Sequence, residues 1–183
     1  MINQEVKGNL AKLLATENLK VEHRQVNTAY FDVEKRILCL PIWKTASNTV
    51  YDLLVGHEVG HALYTPSDDL QGISKPFVNV IEDARIERMM KTTYPGLRKS
   101  FFDGYKELWE DDFFGVKGEE LGNLPLIDRI NLYFKGNPEV PFSDSEKIWV
   151  SRVSKTKTFQ DVLELAAELY EYAKEQQEKK EFE

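Results

Sequence analysis

The sequence predicts an α+β chain, mostly helical, with a small antiparallel or mixed sheet near the N-terminus. Three observations predict it. Apolar residues recur at helical spacing through most of the chain. Strand-like runs of β-branched and aromatic residues are confined to residues 20–40. Capping residues, prolines and glycines divide the remainder into separate helices.

The first helix is expected over residues 3–17, with Val6, Leu10, Leu13 and Leu14 on one face. Tyr30, Phe31 and Val33 then lead into a turn at Glu34-Lys35. Arg36 to Leu40 follow, with Pro41 as a stop, and the whole reads as a hairpin. Cys39 fits a buried strand as a small apolar residue. Ser47, Asn48 and Thr49 offer N-cap oxygens for the next helix, and Asp52, three residues after Thr49, makes a short capping box. Thr65-Pro66 ends that helix, because proline disfavours helix in the residue before it.

A turn-rich loop, Thr65 to Pro76, is long enough to fold a second apolar helix, residues 77–90, back beside the first. Tyr94-Pro95-Gly96 is a turn, and a helix follows from Leu97 to Asp112. After a polar loop from Gly115 to Gly122, a helix from Leu124 to Lys135 closes at Gly136-Asn137-Pro138. Ser143-Asp144-Ser145-Glu146 and Thr158-Phe159-Gln160-Asp161 begin the last two helices. Residues 1–173 are read as one domain, and residues 174–183 as a charged helical tail that starts a linker to a further domain.

The most informative stretch is His57-Glu58-Val59-Gly60-His61, an H-E-x-x-H motif that takes two of the three histidines in the chain. On a helix, residues i and i+4 share a face one turn apart, so both imidazoles can reach one ion. Glu58 can lean toward a water on that ion, the arrangement by which many metallopeptidases bind zinc and activate water. Val50, Leu53 and Leu54 share the inward face with the histidines. Gly60 has no side chain, so another element can approach closely beside His61.

Hydrolytic zinc sites usually take three protein ligands and keep one position for water. In the second apolar helix, Glu82 and Asp83 lie amid Val78, Val80, Ile81, Ala84 and Ile86. A buried carboxylate needs a cation or several donors. Glu82 is the first choice for third ligand and Asp83 the second; the bland alternative is a solvated face ion-paired to Arg85 or Arg88.

Composition narrows the partners. A net charge of −7 argues against a generic nucleic-acid or anionic-membrane binder. No apolar run is long enough to span a bilayer and no signal-peptide pattern opens the chain. One cysteine cannot form an internal disulfide, which suits a reducing, cytoplasmic setting, or a phage protein in the host cytoplasm or virion.

His57 to Leu63 together with Asn79 to Glu87 resembles the gluzincin branch of zinc metallopeptidases. More narrowly, the second run is similar to metallopeptidase-like regions of bacterial and phage proteins linked to von Willebrand A domains, such as cobaltochelatase T-subunit relatives. Leu126 to Tyr133 is a weaker third block. The resemblance implies a zincin-like fold, one Zn2+ per chain on His57, His61 and Glu82, and Glu58 as general base for hydrolysis of a protein or peptide substrate. It departs in one place: four residues after Glu82 stands Ile86, where many gluzincins have an aspartate that holds a zinc histidine. Asp83, Glu87 or Asn79 are candidates for that supporting role.

Tyr94 and Tyr105 are candidate oxyanion stabilisers, beside Arg85 and His23, although tyrosines more often pack and a lone histidine more often lies on a strand or the surface. Residues 28–31 or 36–40 are candidate edges for pairing with extended substrate, by analogy with zincins. The alternative function is a catalytically silent zincin-fold structural or assembly module of a larger complex, docking a further domain or protein on its C-terminal helix.

Overall fold

The computed structural model describes residues 3–43 and 46–183. Among them are seven α-helices and one three-stranded mixed sheet, so the fold is α+β and mostly helical. The chain divides into two compact units, residues 1–67 with 86–115, and residues 68–85 with 116–183. No helix among the described residues is long and apolar enough to cross a membrane.

The first unit opens with α1 (Gln4–Ala15), whose N-cap Asn3 side chain accepts from the Val6 amide. Its buried face differs from the expected one. Gly8, Ala11 and Ala15 are buried, as is Lys7, while Val6 and Leu13 are exposed. The small residues face the interior, and Leu10 and Leu14 pack against the same core half-buried. Lys7 is buried at one end of an ion pair with Asp52, which is thereby engaged elsewhere than in a cap.

Strands β1 (Lys20–Arg24), β2 (Tyr30–Asp32) and β3 (Ile37–Pro41) follow. β2 and β3 form the expected antiparallel hairpin, and Asp32 accepts from the Lys35 amide in its turn. β1 lies parallel to β3 on the other side, giving the order β1-β3-β2. Residues 25–36 make the crossover that a parallel pair requires. β3 is therefore the central strand, paired on both sides, and residues 37–40 are not an edge.

Helix α2 (Asn48–Tyr64) is the main wall of the first unit. Ser47 caps it by accepting from the Val50 amide, and it stops before Pro66 as expected. Val50, Leu53, Leu54, Val55, Val59 and Ala62 join α1, the sheet and α4 (Leu97–Glu110) in one core. Arg36 reaches from the hairpin to donate to the Ala62 carbonyl at 2.7 Å, steadying the end of α2.

Helix α3 (Lys75–Thr93) gives its second half to the first unit and its first half to the second. The second unit also holds α5 (Leu126–Phe134), α6 (Asp144–Val153) and α7 (Phe159–Glu181). Both expected starts carry full capping boxes, Ser143 with Glu146 and Thr158 with Asp161. Val78, Ile81, Ala84, Ile130, Val153, Leu163, Ala166 and Leu169 pack its core. The charged tail continues α7 as helix to Glu181.

Candidate metal centre

His57 and His61 lie one turn apart on α2, with ring centroids 4.9 Å apart and planes at 75°. Both are half-buried, and Glu58 beside His57 is buried. The close approach expected at Gly60 is present: an added Cβ would meet Ile86 Cδ1 at 2.8 Å and Met90 Cγ at 3.0 Å. The second half of α3 thus packs directly on the turn that bears the histidines.

Each ring presents its Nδ1 to a protein oxygen. His61 Nδ1 lies 2.9 Å from the Thr65 hydroxyl, four residues on. His57 Nδ1 lies 3.6 Å from Glu87 Oε2, an electrostatic contact longer than a hydrogen bond. Glu87 is 3% exposed, and a carboxylate so buried needs donors. Tyr105 on α4 supplies one, its hydroxyl donating to Glu87 at 2.8 Å and 3.0 Å. Of the three candidates for the supporting role, Glu87 is the one whose carboxylate faces the His57 ring.

In the second unit the two candidate carboxylates have different partners. Glu82 and Arg85 are both buried and form a forked pair, Nε to Oε1 at 2.5 Å and Nη2 to Oε2 at 2.9 Å. Arg85 also donates to the Lys157 carbonyl at 3.2 Å. Asp83 is half-buried, with Oδ2 3.0 Å from Lys135 Nζ. Asn79 is exposed. Because α3 is continuous, Asp83 is one turn before Glu87 on the same face, whereas Glu82 is one turn before Ile86.

The candidate electrophiles have structural bonds. The Tyr94 hydroxyl donates to the Leu14 carbonyl at 2.7 Å, and that of Tyr105 to Glu87. Burial lowers the His23 imidazole from its usual value, and its Nε2 is buried with no hydrogen-bond partner among the described residues. Sequence reasoning read Thr65 only as a helix stop, although its i+4 spacing from His61 was a usable signal. Nothing in the sequence pointed to Lys135 beside Asp83.

Comparison with family models, curated proteins and solved structures gives no match. The functional reading of the site therefore rests on its own residues.

Proposed function

We propose that the chain is a zincin-like zinc metallopeptidase in which His57, His61 and Asp83 hold the metal and Glu58 is the general base. The observation that carries this reading is the half-buried pair of imidazoles on α2, His61 with Nδ1 at 2.9 Å from the Thr65 hydroxyl and His57 with Nδ1 facing Glu87 at 3.6 Å. That is how metal-bound histidines are usually oriented, with the other nitrogen, Nε2, as ligand. Among the described residues, His57, His61 and Asp83 make a set that could hold a metal ion. Two imidazoles and one carboxylate suit zinc.

Asp83 is preferred to Glu82 for two reasons. Both Glu82 oxygens are bound by Arg85. An Asp83 ligand also puts Glu87 four residues later, supporting a histidine, and so restores by a shift of one residue the pattern that Ile86 interrupts.

Zinc held by these residues would supply the positive charge that acidifies a water and polarises a carbonyl. Glu58 accepts the proton of the attacking water and delivers it to the leaving amine. Thr65 and Glu87 keep the imidazoles in one orientation.

Zinc analysis combined with a casein or peptide-library digest tests this. Glu58→Gln should retain the metal and lose hydrolysis, and an active Glu58→Gln variant excludes Glu58 as the base. The engaged hydroxyls of Tyr94 and Tyr105 favour, as the second reading, a silent zincin-fold assembly module with a structural metal. Metal without turnover on any substrate supports that reading.

A further inference from the structure

We infer that Tyr105 is a positioning residue of the metal centre, acting through Glu87 on His57; this rests on the metal-centre reading above. The three side chains come from three helices of one compact unit: α4, the second half of α3, and α2. All are inside, with Tyr105 6% and Glu87 3% exposed and the His57 side chain 14% exposed.

One hydroxyl spans the carboxylate, and a longer electrostatic contact leads from the carboxylate to the ring. The Tyr105 hydroxyl lies 2.8 Å from Glu87 Oε1 and 3.0 Å from Oε2, straddling the carboxylate, and Oε2 lies 3.6 Å from His57 Nδ1. A carboxylate has a free rotation about its last bond, and a donor across both oxygens removes it. The donor itself is fixed, because the Tyr105 ring packs between Phe101 and Phe114, with centroids 6.3 Å and 6.4 Å away. Packing alone would be served by phenylalanine, as it is at those two neighbours. What tyrosine adds is a hydroxyl on Glu87, which keeps the carboxylate turned toward the imidazole. The residue is thus a strut beneath a metal ligand and not a donor to a substrate oxyanion.

Tyr105→Phe removes the hydroxyl and keeps the ring. Zinc titration of the full chain should show affinity about 10-fold weaker than wild type, as loss of such outer partners typically does. In a Glu87→Gln background the same substitution should change affinity less than about 2-fold, since its route to the metal is already broken. Histidine-selective 15N spectra of the metal-free protein should show one His57 tautomer in wild type and a mixture in Tyr105→Phe, a change that packing loss alone does not produce. Unchanged zinc affinity in a folded Tyr105→Phe variant overturns the inference, as does an equal loss with and without Glu87. If Tyr105→Phe does not fold, the His57 tautomer in Glu87→Gln decides: one unchanged tautomer overturns it. A wild-type chain that binds no zinc overturns the metal-centre reading itself, and this inference with it.

Discussion

Gly104→Ala tests the packing that brings α4, and so Tyr105, against α2. The new Cβ would lie 2.8 Å from Leu53 Cδ1, 2.9 Å from Leu53 Cβ and 3.3 Å from the Thr49 carbonyl oxygen. Leu53 is 2% exposed. Its Cδ1 can swing aside, but Leu53 Cβ and the Thr49 oxygen belong to the α2 backbone frame and move only if the helices part. Overpacking of a tight interior costs about 1–3 kcal/mol, and these immovable contacts place the change at the upper end. Replacing a mid-helix glycine by alanine returns about 1 kcal/mol of propensity. The net is about 2 kcal/mol of destabilisation. With a urea slope of about 2 kcal/mol/M, the midpoint should fall by about 1 M. Gly56→Ala is the control: its nearest contacts are at 3.4 Å, so propensity should leave the midpoint level or higher. A Gly104→Ala protein as stable as wild type refutes the close-packed account of α2 and α4.

Two further predictions concern the second unit. Asp83→Ala should lose zinc more severely than Glu82→Ala at equal fold, by metal analysis after dialysis; the reverse order assigns the ligand to Glu82 despite its Arg85 pair. Stability should also depend on pH through Glu146. The Arg129 guanidinium, bonded at 2.9 Å and 2.6 Å, and the Ser143 amide hold its carboxyl at about 2, below the ordinary 4.5. Because the folded value is the lower one, this contribution is full above about pH 4.5 and disappears as pH falls to about 2. Glu146→Gln should therefore melt below wild type at pH 6 and approach it by pH 2; parallel curves across that range contradict the linkage.

Much of the architecture was legible in the sequence because local signals agreed with tertiary needs. Ser47 and Pro66 bound α2, Ser143 and Thr158 cap α6 and α7, and Gly60 marked the approach of α3. The buried face of α1 was legible only in part: Leu10 and Leu14 pack against the core, while Val6 and Leu13 are exposed. Val6, Leu10, Leu13 and Leu14 set an apolar arc, but the fully buried positions are Lys7, Gly8, Ala11 and Ala15, small or ion-paired side chains to which hydropathy gives little weight. The sheet is mixed, one of the two forms expected, and the sequence could not choose between them because strand direction is set by the connection and not by residue type. At the site, the shared face of the two histidines on α2 was legible from spacing, whereas Glu87 was one of three candidates for the supporting role. Spacing does not choose between Glu82 and Asp83, because adjacent helical residues differ by one register step, and the Arg85 pair with Glu82 and the Lys135 contact with Asp83 leave no mark in it.

Zinc content after exhaustive dialysis, in wild type and in a folded His57→Ala/His61→Ala variant, tests the central claim most directly. The account predicts about one zinc per wild-type chain and none in the variant. A wild-type chain without zinc, or a variant that retains it equally, contradicts the claim.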